Sequence, residues 1–227
     1  MPSQHAIDAE NARFFQKVYW WMFLGMFVSG GLAWYTANNA VLVNAIFANS
    51  WRFFALIIGE VALVFILASQ IKKLSASVAK LMFLGYAALN GLTLAVIFLV
   101  YTTESIIQVF VITGVMFGVM ACYGYFTKKD LSSWGSILFM GLIGLLIAMV
   151  VNLFLQSGMF SFIISCIAVV IFTALTAYDV QKIKKMNIIG NEGTDEDTKE
   201  AIMGALQLYL DFINLFLHLL RLLGNRK

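Results

Sequence analysis

Long apolar runs separated by short polar breaks make up most of this chain. A helix needs about 20 residues to cross about 30 Å of hydrocarbon. Seven runs are long enough: residues 18–36, 53–70, 81–101, 106–126, 134–155, 159–179 and 202–223. They lack the alternation over about 10 residues that is typical of membrane β-strands. The pattern therefore predicts an all-α, polytopic membrane fold of seven transmembrane helices, with residues 1–227 in a single transmembrane domain.

The composition supports a location in the lipid bilayer. Hydrophobic residues make up 61% of the 227 residues and charged residues 12%, and the mean hydropathy is +0.88. Soluble domains are about 45–50% apolar and about 25% charged. The polar N-terminal segment, with its mixed charge, does not match a cleavable signal peptide. The net charge of +3 is too small to indicate a nucleic-acid partner.

Basic residues predict the orientation of the helices. They precede the first run and follow the second, fourth and sixth, whereas the opposite loops contain only Arg52. By the positive-inside rule, the N-terminus is cytoplasmic. Residues 186–200 are predicted to form the one long hydrophilic loop. Arg226 and Lys227 conflict with seven complete spans, and a last helix that enters the membrane and returns would resolve that conflict.

The last predicted span carries its polar residues along one face. At 100° per residue, Gln207, Asp211, Asn214, His218 and Arg221 fall within an arc of about 80°. Asp211 is about 15 Å from either end of the span, so its carboxyl group does not reach the interface. Because lipid cannot satisfy polar groups, this face must contact protein or water. Two interpretations stay open at this point, a polar contact between helices and a functional site.

Two further carboxylates lie in predicted spans. Glu60 is near the middle of the second span, and Asp179 closes the sixth, where it could also be a solvated helix end. If Asp179 meets Asp211, the two groups cannot both ionise at low cost, so they share one proton. Such a pair ties two helices together when protonated. When doubly ionised it repels, and it offers oxygen ligands to a hard cation such as Ca²⁺.

Two sequence segments identify a family resemblance. The segments AYDVQKIK (177–184) and LYLDFINLFLHLLRLLG (208–224) strongly resemble the Bax inhibitor-1 family, also called the transmembrane Bax inhibitor motif family. GEVALVF in the second span and KKDLSSWGSILFMGLIG at the fifth agree with it, and the size resembles bacterial members. The resemblance implies a seven-helix fold with a central last helix, placed in the bacterial inner membrane. It also implies a pH-sensitive calcium leak gated by an aspartate pair.

The candidate site follows from this resemblance and from the polar face. Asp179 and Asp211 match the positions of the gate and pH sensor. Glu60, Asn214 and His218 are the predicted pore-lining or cation-attracting residues, although His218 could equally be a hydrogen-bonded histidine between helices. Asp179, Asp211 and Glu60 are the predicted transient calcium ligands. No resident cofactor is expected, because calcium is the transported ion and protons are the other predicted partner.

The counter-charge of the gate departs from the family pattern. Some relatives carry an arginine near the cytoplasmic end of the second span that pairs with the sixth-span aspartate. Ile71 occupies that position here, so Lys72 or Lys73 is the candidate substitute, and Arg221 is a third. Lysine is a point charge without the planar fork of arginine, so the closed state would be held differently.

Other functions stay open from the sequence. A non-transporting membrane adaptor or stress modulator and a proton-coupled cation exchanger both fit the same residues. An intramembrane aspartyl protease is disfavoured because its second motif needs Gly-x-Gly-Asp, whereas Leu208, Tyr209 and Leu210 precede Asp211. A retinal protein is disfavoured because no predicted span contains a lysine. We therefore expect a non-enzymatic protein; the sequence does not give its oligomeric state, and a monomer is compatible with it.

Overall fold

A computed structural model describes residues 3–227, and these residues form eight α-helices and no β-strand. The helices are α1 (Gln4–Ala37), α2 (Ala40–Phe47), α3 (Ser50–Gln70), α4 (Ala76–Val100), α5 (Thr103–Phe126), α6 (Ser132–Leu155), α7 (Gly158–Met186) and α8 (Asp195–Leu223). Apart from Tyr101, every residue of the seven predicted spans is helical. The prediction of an all-α membrane fold is confirmed.

Two helices differ from the prediction: α1, which contains the first predicted span, and the short helix α2. Among the described helices, α3 to α8 are long and apolar enough to cross a membrane, and α1 is not in that group. The apolar part of α1 contains Trp20, Trp21 and Trp34, which favour the membrane interface over its centre. The short helix α2 was not predicted, and Asn39 caps it by accepting hydrogen bonds from two backbone N–H groups.

The helices form two compact units. The first contains the chain up to Val100, Met186–Tyr209 and Lys227. In it, α4 packs against both α1 and α3. The close approach of α1 and α4 depends on Gly91, because a Cβ atom there would meet the backbone of Ser29.

The second unit contains Tyr101–Lys185 and Leu210–Arg226. Aromatic rings of α5 and α8 interlock in it: Phe110 and Phe117 both contact Phe212 edge to face, with ring centroids 5.3 and 5.5 Å apart. Phe110 also contacts Phe216. These contacts fix the rotation of α8, so its apolar face is turned towards α5.

The last helix is continuous and mostly buried. It has 29 residues, about 43 Å of helix. Of its most apolar 18-residue stretch, 72% is buried, against 11–50% for α3 to α7, as expected of a central helix. The helix contains no break at which it could turn back, so it does not have the form of the re-entrant alternative. The basic C-terminus is held locally instead, because Lys227 donates hydrogen bonds to the carbonyl groups of Val100 and Phe98.

The predicted hydrophilic loop at residues 186–200 is shorter than expected. Three of its five acidic residues, Asp195, Glu196 and Asp197, lie in the first turn of α8, where they interact favourably with the positive end of the helix dipole. The hydroxyl group of Thr194 caps this helix by accepting the N–H of Asp197 at 3.2 Å. The connector between α7 and α8 is therefore only residues 187–194.

The N-terminal turns of α1 hold this connector. Arg13 forms two hydrogen bonds with the Glu192 carboxylate, of 2.8 and 2.9 Å. The Lys17 Nζ atom lies 2.6 Å from Oδ2 of Asp197, which is buried. These contacts hold residues 187–194 and the first turn of α8 against α1.

We expect acid to loosen this connector. The hydrogen bond from Arg13 lowers the pKa of Glu192, so the ion pair stabilises the docked state above the unfolded carboxyl pKa of about 4.3. That contribution is lost as the pH falls through the lower pKa of the folded state. Its size is small, because the pair is exposed to solvent. Hydrogen exchange of residues 187–194, corrected for intrinsic rates, should stay constant from about pH 7 to about pH 5 and should rise as the pH falls below about 4.3.

The matched variant is Arg13→Gln. In this variant, the connector should exchange hydrogen faster than in the wild type at neutral pH, and its exchange rate should rise less on acidification. The same pH profile in this variant as in the wild type would rule out the Arg13–Glu192 pair as the cause.

Candidate functional site

The Asp179 and Asp211 carboxyl groups meet between α7 and α8. Only 4% of Asp179 and 5% of Asp211 is exposed, and the two side chains are within hydrogen-bonding reach of each other. Asp179 is not a solvated helix end, because α7 continues for two further turns to Met186. Within the part of the chain that the structure describes, Oδ2 of Asp211 has no hydrogen-bond partner. The two predicted gate residues are therefore brought together in a buried site.

Further polar contacts continue from this pair along the same helices. The His218 Nδ1 atom lies 3.4 Å from the Ser165 hydroxyl group, and its ring stacks on Phe172. Nearer the end of α8, the Arg221 guanidinium donates a 3.3 Å hydrogen bond to the hydroxyl group of Ser161. We call this row of contacts the α7–α8 polar seam; it comprises Ser161, Ser165, Asp179, Asp211, His218 and Arg221. The polar face of α8 therefore contacts protein, as the sequence requires.

Asn214 lies on the same helix but contributes differently. Its amide donates a 2.8 Å hydrogen bond to the carbonyl of Leu210, one turn earlier on α8. The residue is half-buried, and its amide oxygen has no hydrogen bond among residues 3–227. Its predicted pore-lining role stays a prediction.

Glu60 belongs to a separate hydrogen-bond network in the first unit. Its carboxylate accepts hydrogen bonds from the Asn90 amide at 3.1 Å and from the Thr93 hydroxyl group at 2.7 Å. The Tyr209 hydroxyl group donates to Oδ1 of Asn90 at 2.7 Å, and it lies 2.6 Å from the Ser29 hydroxyl oxygen. We call these five residues the Glu60 network. It joins α1, α3, α4 and α8.

Sequence reasoning found Glu60 but missed its four partners. Each of them is a polar residue within a mainly apolar stretch, and the sequence does not indicate which helices pack together. The one usable signal is the spacing of Asn90 and Thr93, which puts both on one face of α4.

Comparison with known proteins decides the family. A family model described as "Inhibitor of apoptosis-promoting Bax1" matches residues 11–227. The chain belongs to the Bax inhibitor-1 family. It is 49% identical to the inner membrane protein YbhL of Escherichia coli over 212 residues, which are 93% of this chain and 91% of YbhL. It is also 45% identical to an uncharacterized protein of Borreliella burgdorferi, over 95% of this chain and 93% of that protein.

These relatives and the apolar helices together give the location. This Bax inhibitor-1 family protein is a multi-pass membrane protein of the bacterial inner membrane. The resemblance found in the sequence is confirmed, since the matched region includes every predicted span.

One positive charge near the aspartate pair of this Bax inhibitor-1 protein was not among the predicted counter-charges, and the roles of Lys72, Lys73 and Arg221 stay predictions. Lys182, one turn after Asp179 on α7, is close enough to Asp211 for its charge to act on that carboxyl group. Lys72 lines a cavity in the first unit, and Lys73 is exposed beside it. Arg221 is ten residues from Asp211, about 15 Å along α8. The sequence signal for Lys182 was its spacing of three residues from Asp179, which puts both on one face.

The predicted calcium ligands do not make a three-ligand cluster. Across residues 3–227, no three His, Cys, Asp or Glu side chains are placed to hold a metal ion together. Asp179 and Asp211 offer two carboxyl groups at one place, while Glu60 is bonded within its own network. Transient calcium binding by these residues stays a prediction.

Gly124 sets the distance between α5 and the part of α7 that carries Asp179. A Cβ atom at this position would overlap the carbonyl of Ala177, two residues before Asp179. We expect Gly124→Ala to separate the two helices and to lower stability by about 1–3 kcal/mol, because backbone atoms cannot yield as a side chain would. Unfolding of the purified protein in mixed micelles measures this loss. Gly114→Ala on the same helix has open space and is the control; equal losses would contradict the close contact.

Proposed function

We propose that this protein is a pH-sensitive cation leak of the inner membrane, with Ca²⁺ as the transported ion and the Asp179–Asp211 pair as the gate. The observation that carries the proposal is the pair itself. Two carboxyl groups meet inside a membrane protein, each about 95% buried, and one oxygen atom of Asp211 is unpartnered in the described chain. Ionisable groups within membrane helices are costly to retain, and they typically mark ion or proton pathways.

Protonation gives the pair two states. With one shared proton, the carboxyl groups form a hydrogen bond that ties α7 to α8. With both groups ionised, two negative charges repel in a region of low dielectric constant, where such repulsion is far stronger than in water. Because the two helices contact each other through these residues, the change in charge acts directly on the α7–α8 polar seam.

Calcium suits the groups that this change would expose. Ca²⁺ prefers oxygen ligands and accepts irregular geometry, and an ionised pair offers up to four carboxylate oxygen atoms. Glu60 supplies a further carboxylate within a membrane helix, where Asn90 and Thr93 hold its orientation. The family resemblance supports the same ion.

Calcium flux into liposomes tests the proposal. Purified full-length protein would be reconstituted around a calcium-sensitive dye, and the rate of calcium entry would be measured from about pH 5 to about pH 8. We expect a leak with a clear pH midpoint, and none from liposomes without protein. No leak at any pH, from protein shown to be folded and inserted, would remove the channel and favour the membrane adaptor. Entry that requires a proton gradient in the opposite direction would favour the proton-coupled exchanger.

A further inference from the structure

Five lysines lie close together at one end of the second unit, where α5 and α7 end. The side chain of Gln181, near the end of α7, holds the connector between α5 and α6. It accepts a 2.8 Å hydrogen bond from the N–H of Leu131 and donates one of 2.8 Å to the carbonyl of Lys129. The end of α7 therefore lies against this connector. We call the lysines of these two segments the lysine surface; it comprises Lys128, Lys129, Lys182, Lys184 and Lys185.

Two lysines of this surface fix the end of α7. The Lys184 Nζ atom donates a 3.1 Å hydrogen bond to the Tyr125 carbonyl and lies 4.3 Å from the centre of the Tyr125 ring. The Lys185 Nζ atom lies 2.7 Å from Oδ1 of Asp130. The remaining three lysines are exposed: Lys128, Lys129 and Lys182. Their ammonium groups can therefore contact a partner outside the protein.

The lysine surface carries an excess of positive charge. Its five lysines stand against Asp130 and against the buried Asp179–Asp211 pair, which adds one negative charge while it shares a proton. The net charge at this end of the second unit is therefore +3. In the first unit, by contrast, residues 3–17, 70–80 and 186–200 contain six basic and seven acidic side chains. Both units have basic residues on the predicted cytoplasmic side, so the positive-inside rule does not account for the difference.

The lysine surface lies at the level of the lipid headgroups. Both α5 and α7 are long and apolar enough to cross a membrane, and the lysines follow the apolar stretch of each helix. Tyr123 and Trp134, on either side of the connector in the sequence, are exposed, and rings of these types favour the membrane interface. The positive-inside rule puts the ends of α5 and α7 on the cytoplasmic side.

We propose that the lysine surface binds the headgroups of anionic phospholipids in the cytoplasmic leaflet. Clusters of basic residues directly beside a membrane helix attract such headgroups, because these lipids give the membrane surface a negative potential. Lysine has a flexible stem, so its ammonium group reaches lipid phosphates at different positions. An acidic segment of a soluble protein suits this surface less well, because lipid headgroups are already present at the same level. The proposal does not depend on the calcium leak.

Spin-labelled lipids in bilayers that contain the full-length protein test this assignment. The electron paramagnetic resonance spectrum gives the fraction of the label that is immobilised at the protein. The probes are phosphatidylglycerol, which is anionic, and phosphatidylcholine, which has no net charge, each in a phosphatidylcholine bilayer. We expect the wild type to associate with phosphatidylglycerol about fivefold more strongly than with phosphatidylcholine. High salt should reduce this preference, because it screens exposed charges.

Two triple variants separate the lysine surface from other cytoplasmic lysines. The surface variant combines three substitutions: Lys128→Gln, Lys129→Gln and Lys182→Gln. The control variant removes the same charge from the first unit: Lys72→Gln, Lys73→Gln and Lys80→Gln. We expect the surface variant to associate with the two lipids equally and the control variant to keep the wild-type preference.

Three results would overturn the proposal. Equal association of the two lipids with the wild type would show that the surface does not select anionic headgroups, and would favour an acidic soluble partner. An equal loss of preference in the surface and control variants would assign the preference to the net charge of the whole protein. Loss of the preference on addition of soluble glycerol phosphate would assign the surface to a free phosphate and not to a lipid. If the surface variant does not fold, Lys128→Gln with Lys129→Gln keeps the test decisive, because both residues are exposed in the connector.

Discussion

Asp211→Asn is expected to abolish the pH midpoint of the calcium leak or to move it by about one pH unit or more, equivalent to about 1.4 kcal/mol. Asparagine keeps the size of the side chain and its ability to hydrogen-bond to Asp179, but it cannot ionise. The pair then has no shared proton to lose, and the repulsion between two carboxylates does not arise. The flux of calcium into liposomes, measured across the same pH range as for the wild type, gives the result. Asp179→Asn should have the same effect, because the proton belongs to the pair.

Two variants separate the pair from other titratable residues. Glu60→Gln should lower the rate of calcium entry but leave the midpoint in place, because Glu60 lies in its own hydrogen-bond network. His218→Gln should also keep the midpoint. If Asp211→Asn retains the wild-type midpoint and His218→Gln loses it, His218 is the sensor and the aspartate pair is not.

Asn90→Leu is expected to destabilise the protein by about 1–3 kcal/mol. Asn90 is 8% exposed and joins Glu60 to Tyr209. Leucine has a similar size, so the loss comes mainly from the hydrogen bonds and not from a cavity. Hydrogen bonds between membrane helices contribute about 0.6 kcal/mol each on average, so a loss near 3 kcal/mol would mean that the groups left behind find no new partner. Unfolding of the purified protein in mixed micelles measures the change.

Asn214→Leu is the matched control for stability. Its amide bonds only within α8 and its side chain is half-buried, so the expected change is about 0.5 kcal/mol or less. Equal losses of stability in Asn90→Leu and Asn214→Leu would show that the hydrogen bonds of the Glu60 network stabilise the protein no more than a hydrogen bond within α8 does. Tyr209→Phe combined with Asn90→Leu should cost less than the sum of the two single changes, because both remove the same hydrogen bond.

The transmembrane helices could be predicted because a span needs a long apolar stretch; the sequence suggests seven, and six of the described helices are long and apolar enough to cross a membrane. The boundaries outside the membrane could not be predicted in the same way. Lys182, Lys184 and Lys185 indicate a loop by their charge, yet α7 continues through them, because a helix that leaves the membrane loses its need for apolar residues. The acidic turn at Asp195 is helical for a different reason, since carboxylates stabilise a helix N-terminus.

The Asp179–Asp211 pair could be predicted as a candidate because both residues are ionisable and lie in or beside apolar helices. Its burial could not, because it depends on the extension of α7 past Asp179 to Met186. The partners of Glu60 were beyond sequence reasoning, since Asn90 and Tyr209 are 119 positions apart and meet only through helix packing. The cavity beside Lys72 has the same origin, because its residues come from separate helix ends.

The proton held by the Asp179–Asp211 pair can be measured directly by infrared spectroscopy of the protein in bilayers, through the carbonyl stretch of a protonated carboxyl group. We predict that the wild type at neutral pH shows this band, that it is lost over the same pH range in which the leak changes, and that its frequency and pH midpoint both change in Asp179→Asn and Asp211→Asn, where the remaining carboxyl group has no second carboxyl group with which to share a proton. Glu60→Gln should keep the band, which separates the pair from the third carboxyl group in the membrane helices. A band with the wild-type frequency and midpoint in both aspartate variants, or a wild type without one over the whole pH range of the leak, would contradict a gate made of two carboxyl groups that share a proton.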